Sequence, residues 1–312
     1  MKLMTIFIVS ALFNVPAFSH AEAPERPFPY LSNGIFAVSA DSNGYPTVTK
    51  LSVLGTTIVP FDNAGAGFQM AARSSLGNAY NPTQAGDCTG AASQLVGVNN
   101  AWAGAGLGMS ASNGFQLAVQ PRNYNEPSSC LGTGALLPYQ FTFGLTPGDG
   151  NSLAKEVLVV DMSITRELGS QVVDLAQTEL PSIFPLSSVV PFAYWSSNGT
   201  TFHPFTYNGT NDIRRWPYTQ NFYVQGEAVM LCTPQSTFCL ALYSNETTNM
   251  YISHRRGATT DLGLLSLIAG VNGTISDYQT HSARKLLVVG TPSTVSSAIS
   301  QARLRITDWG DL

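Results

Sequence analysis

The 312-residue chain is predicted to be an all-β protein, an antiparallel β-sandwich with long loops and one C-terminal helix. Three observations carry this. Only 11% of residues are charged, less than half the usual share, and the polar positions are filled by Ser, Thr, Asn, Gln and Gly, which favour strands and turns over helices. Short β-like segments alternate with turn signals along the chain, and helical periodicity surfaces in one place, Ser293–Leu304. The same composition excludes several classes. With 44% hydrophobic residues and a net charge of −4 the chain is neither disordered nor a coiled coil, and it lacks the basic stripe a nucleic-acid partner would require.

The N-terminus reads as a secretory signal covering residues 1–21. Lys2 begins it, Leu3–Val15 form the apolar stretch, and Ser19-His20-Ala21 supplies small residues before a cleavage site at Glu22. Thirteen or so apolar residues are too few to cross the roughly 30 Å hydrocarbon core. Leu262–Val271, the best later candidate for a span, is also too short and contains Gly263 and Gly270, so no membrane span is expected. The mature chain, 22–312, shows no polar linker and is expected to be a single secreted domain, extracellular or periplasmic.

Ile35–Ala40 and Thr47–Leu54 read as an opening hairpin around Asp41-Ser-Asn-Gly44. Further strands are expected at Phe115–Gln120, Tyr139–Leu145, Leu153–Thr165, Gln171–Gln177, Asn221–Cys232, Phe238–Ser244, Asn249–Ser253 and Leu286–Val289. Two long stretches carry no convincing strand: Asn63–Gly114, rich in Gly, Ala, Ser and Asn, and Pro181–Asn221, which concentrates Trp195, Trp216 and seven Phe and Tyr residues. Loops of this length are seldom passive connections. The helix starts at Thr291-Pro292-Ser293 and places Val295, Ala298, Ile299 and Ala302 on one face.

In an oxidising compartment the four cysteines are expected to form disulfides. Cys232 and Cys239 flank a six-residue turn between two apolar runs and would clip a hairpin. Cys88 and Cys130 would then close a loop of about forty residues, worth on the order of 3–4 kcal/mol. There is no CxxC or HxxxH pair, so no metal and no cofactor is expected. Asn198, Asn208, Asn245 and Asn272 head N-x-T sequons, which place those loops at the surface if the chain is glycosylated.

The most distinctive segment runs from Phe61 to Asp87. Its glycines let backbone approach a ligand, and Gln69, Arg73, Tyr80, Asn81, Gln84 and Asp87 offer the donors and acceptors that bind hydroxyls. A phosphate loop fits less well, because no Lys-Ser/Thr follows the glycines. No GxSxG elbow supports a serine hydrolase.

Gly67-Phe-Gln69, Tyr80-Asn-Pro-Thr-Gln-Ala-Gly86, Thr178-Glu-Leu-Pro-Ser182, Glu227-Ala228, Leu242-Tyr-Ser244 and Leu287-Val-Val-Gly-Thr291 occur in that order. The pattern resembles that of secreted proteins similar to carbohydrate-active enzymes with a galactose-mutarotase-like β-supersandwich. It departs from them at Ala228-Val229, where a tryptophan would be expected. The resemblance implies a concave sheet that binds sugar through aromatics and hydrogen bonds, with catalysis by two carboxylates or by a carboxylate and a histidine.

Glu179, at the entrance to the aromatic stretch, and Glu227, in an otherwise uncharged strand, are the expected carboxylate pair, and cleavage would need them roughly 5 to 9.5 Å apart. His203, within Thr-Phe-His-Pro-Phe, is a candidate general acid. Trp195, Trp216 and Tyr243 are expected sugar contacts together with His254, which adjoins the cationic pair Arg255-Arg256. The sequence thus points to a glycoside hydrolase or polysaccharide lyase with a carbohydrate partner. A lectin-like module or a surface-adhesion protein would keep the aromatics and Asn/Gln-rich loops without an acid and a base.

Overall fold

A computed structural model describes residues 29–41, 47–60, 67–74, 79–80, 94–102, 114–121, 139–151, 153–167, 175, 177–218, 220–256, 261–269, 275 and 279–310. The expected signal segment, Asn81, Gln84, Asp87, Cys88 and Cys130 lie outside them. In chain order the strands are β1 (Tyr30–Ser32), β2 (Phe36–Asp41), β3 (Thr47–Val53), β4 (Thr56–Val59), β5 (Phe68–Arg73) and β6 (Ala79–Tyr80). They continue as β7 (Gln94–Trp102), β8 (Gly114–Gln120), β9 (Tyr139–Pro147), β10 (Val157–Arg166), β11 (Gln177–Ile183) and β12 (Phe192–Ser196). Last come β13 (His203–Pro204), β14 (Asn221–Cys232), β15 (Cys239–Arg256), β16 (Asp261–Ala269) and β17 (Thr280–Gly290), followed by the helix α1 (Pro292–Arg305).

Every ladder is antiparallel, and together they make two sheets. The first runs β1-β2-β3-β5-β11-β16-β15-β14, with β4 on β3 and β6 on β5. The second runs β13-β12-β14-β15-β17-β10-β9-β8-β7. β14 and β15 belong to both. Asn221–Gly226 pair with the distal half of β15 in the first sheet, and Ala228–Cys232 pair with its proximal half in the second, across a bulge at Glu227. The Cys232–Cys239 disulfide closes this hairpin at its tip, as its spacing predicts.

Strand periodicity sorts the side chains. Phe68, Met70, Ile252, Leu265 and Leu267 from the first sheet meet Leu117, Phe141, Phe143, Val160 and Leu287 from the second in one core. A second core lies on the outer face of the second sheet, where α1 lays Val295, Ala298, Ile299 and Ala302 on Val157, Val159, Tyr243 and Leu286. Fully burying Val295 and Ile299 is worth about 1.5–3 kcal/mol each. Thr291 caps the helix by accepting from the Thr294 N–H at 3.2 Å, with Pro292 in its first turn. Among the described residues no helix is long and apolar enough to cross a membrane.

Several elements differ from the sequence reading. β5 and β7 lie in the Asn63–Gly114 stretch read as strandless, because Ala and Gln in one and Gly and Asn in the other are poor strand formers that only non-local pairing recruits. The last three residues of β11 and all of β12 lie inside the aromatic stretch, and β12 is built on the strand formers Phe192, Tyr194 and Trp195. The two strands expected at 238–244 and 249–253 are one bent strand, β15. Of Leu262–Val271, read as too short to span a membrane, Leu262–Ala269 belong to β16, a largely buried strand of the first sheet.

Candidate functional site

The outer face of the first sheet carries a continuous polar row. Gln69, Ser182, Ser266, Tyr251 and Tyr223 are directly paired neighbours across β5, β11, β16, β15 and β14. Their chain neighbours Phe68, Met70, Ile183, Leu265, Leu267, Met250, Ile252, Phe222 and Val224 turn into the core, so the row faces away from it. One register step along, Ala71, Glu179, Ile268, Asn249 and Gln225 form a parallel row. Two residues separate Glu179 from Ser182 at a bulge that contains the cis Leu180–Pro181 bond, and this brings both side chains to the same face.

Glu179 is held from two sides. The Ser182 hydroxyl donates to one carboxylate oxygen and the Tyr251 hydroxyl to the other. Ser182 also lies 3.2 Å from the Ser266 hydroxyl. Burial, and then the Glu179 carboxylate, push the Tyr251 phenol well above the ordinary tyrosine value, so it stays a neutral donor. Arg255 bonds Ser253 at 3.0 Å and the Asn221 carbonyl, which fixes a cation beside the row. Tyr223 is 61% exposed and meets the Tyr251 ring at 5.7 Å, an open aromatic surface at the end of the row. The Gln69 amide is buried with neither its oxygen nor its nitrogen bonded among the described residues, a state that buried amides seldom keep.

Of the residues singled out from sequence, Glu179, Gln69 and Arg73 share this face, with Arg73 exposed at the end of β5. The others lie elsewhere. Glu227 sits at the β14 bulge in an ion pair with Arg303 of α1, whose guanidinium also donates to the Tyr243 hydroxyl at 2.6 Å and covers the Tyr243 ring. The register from Glu179 through Ile268 and Asn249 to Gln225 spans three strand spacings, roughly 14 Å. Glu179 and Glu227 are therefore not arranged as a pair of cleavage carboxylates. His203 is exposed on β13 at the edge of the second sheet, its ring 6.1 Å from that of Trp195.

Four expected sugar contacts are packing residues. Tyr80 lies in the core between the sheets. Trp216 is 3% exposed between Phe205 and Phe222, and its indole donates to the Thr210 carbonyl. Tyr243 is fully buried beneath Arg303 and Trp309, and burial raises its phenol. His254 points to the opposite face from Tyr251, covered by the Tyr218 ring at 4.4 Å, and burial lowers its imidazole. Tyr80, Tyr243 and His254 are turned inward by strand register, and Trp216 by the short turn Ile213–Arg215 that it ends.

The sequence reading singled out Arg255 only as half of a cationic pair beside His254, and missed Tyr251, Tyr223, Ser182, Ser266 and Asn221 as site residues. Its overlooked signal was alternation: Asn221, Tyr223 and Gln225 against Phe222 and Val224, then Asn249, Tyr251, Ser253 and Arg255 against Met250 and Ile252. Among the described residues no three His, Cys, Asp or Glu side chains gather to hold a metal ion.

The architecture has known counterparts. A galactose mutarotase related enzyme from Lactobacillus acidophilus superposes with a TM-score of 0.50 at 8% identity, over 86% of this chain and 98% of that one. A galactose mutarotase-like protein from Lactobacillus casei gives 0.50 at 7% identity, over 84% and 100%. The fold is galactose-mutarotase-like. At the level of sequence no family model and no curated protein matches the chain.

Proposed function

We propose that this is a secreted carbohydrate-active protein that takes a sugar on the outer face of its first sheet, with Glu179 as the acid/base carboxylate. The observation that carries the reading is the Glu179 carboxylate, gripped by the Ser182 and Tyr251 hydroxyls within a row that ends on the exposed Tyr223 ring. Neutral sugars are recognised by this combination of hydroxyl and amide partners with an aromatic surface. The galactose-mutarotase-like fold supports the same ligand class, and the Cys232–Cys239 disulfide suits an oxidising compartment.

One carboxylate on the face among the described residues, rather than two flanking a bond, favours proton transfer to and from a sugar hydroxyl over glycosidic cleavage. Glu179 would accept the hydroxyl proton, and Tyr251 and Ser182 position it. A non-catalytic, lectin-like role is the second reading, favoured by the fact that both Glu179 oxygens already accept hydrogen bonds.

Glu179→Gln separates the two. Anomer exchange of D-galactose and D-glucose, followed by NMR, should be accelerated by the wild-type protein and fall about a hundredfold or more in E179Q, the scale of a lost general base. Binding of the same sugars with no acceleration by wild type assigns the lectin-like role. Neither binding nor acceleration of any aldose would remove both readings.

A further inference from the structure

We propose a second sugar-binding pocket, independent of Glu179, on the outer face of the second sheet. A cavity of about 100 Å³ opens there between Trp102 of β7 and the C-terminal tail at Asp308–Gly310. It is several times what one water needs and holds a single small ligand rather than a chain. Its floor follows from register. Gln116, Gly144, Asp161 and Arg284 are paired neighbours across β8, β9, β10 and β17, and Thr142, Ser163 and Ser282 form the next row. Leu117, Phe143, Met162 and Ala283 alternate with them into the core, so the polar side chains face outward where α1 no longer covers the sheet.

Two features mark this as a built site. The Trp102 indole N–H is buried with no hydrogen-bond partner among the described residues, and the ring lies over Gly144, where a Cβ would come within 2.6 Å of the indole nitrogen. Beside it, the Arg284 guanidinium donates to Asp161 at 2.7 Å and to the Asp308 carbonyl at 2.8 Å, with Arg284 4% and Asp161 9% exposed. Holding two charges this deep costs more than apolar residues of the same shape would. The pair neutralises itself, so the pocket offers a fixed donor and acceptor without net charge. An indole with a free N–H, an amide and three hydroxyls around such a pair suit a neutral hydroxylated ring, the end unit of a glycan or a free monosaccharide.

Saturation-transfer NMR and tryptophan-fluorescence titration with D-galactose, D-glucose and D-mannose test the pocket in the wild type, Trp102→Phe, Gly144→Ala and Tyr223→Ala proteins, each checked for folding by thermal melt. The expected result is millimolar binding of at least one sugar, weakened about tenfold or more in W102F and G144A. Should W102F fail to fold, G144A reads the same site by displacing the indole. No saturable binding of any of the three sugars, or binding that W102F and G144A leave unchanged, overturns the pocket. Loss of all binding in Y223A alone likewise overturns it while upholding the first-sheet site, and loss in W102F and G144A alone upholds the pocket and removes the first-sheet site.

Discussion

Glu179 and Glu227 show how environment divides two similar residues. Glu179 meets hydroxyls on the outer face of the first sheet, whereas Glu227 is neutralised by Arg303 where α1 packs on the second sheet. Glu227→Gln and Arg303→Met should each lower stability by about 1–2 kcal/mol, below the ~3–5 of a fully buried pair because Arg303 is 30% exposed. Both should leave sugar turnover intact. Urea unfolding and anomer exchange check this, and lost turnover with unchanged stability in E227Q would return Glu227 to the chemistry.

His254 sets a pH response. Burial holds its imidazole below the ordinary value of 6.5, outweighing the nearby carboxylates of Asp261 and Asp212, while Arg214 adds to the lowering. Below that value the unfolded chain takes up a proton that the folded chain does not. The stabilisation is complete above it and is lost as pH falls through the folded value. The urea midpoint should therefore drop between about pH 7.5 and about pH 5.5, and less so in His254→Phe. An equal drop in both proteins contradicts the assignment.

Among the elements, the bent β14–β15 hairpin matters most, because it carries Tyr223 and Tyr251 on the first sheet and closes the second with its disulfide. Gly226 permits the crossover: a Cβ there would meet the Ser196 carbonyl oxygen at 2.5 Å. Gly226→Ala should cost about 1–3 kcal/mol, the usual penalty of overpacking, and weaken sugar binding with it. A fully stable G226A protein would mean the strands part more easily than their ladder implies. The ends of this hairpin, its disulfide and α1 were legible in the sequence because each is a local signal: an apolar run, a pair of cysteines, a 3.6-residue period. The bulge at Glu227 was not, because one extra residue in a ladder leaves no mark in composition.

At the scale of the molecule, low charge and frequent turns were enough to predict a β-sandwich, and the motif order was enough to predict its galactose-mutarotase-like form. The pairing of sheets was beyond reach. β5 meets β11 and β11 meets β16 only through contacts more than eighty residues apart in sequence, and it is this pairing that gathers Gln69, Ser182, Ser266 and Tyr251 around Glu179. Glu179 itself was recognisable as a carboxylate in a chain with few. Its partners, spread over four strands, were not. A crystal structure of the protein soaked with D-galactose and D-glucose tests that assembly most directly. The account predicts a sugar on the first sheet within hydrogen-bond reach of Glu179 and packed on Tyr223, and a row occupied by solvent alone under saturating sugar would contradict it.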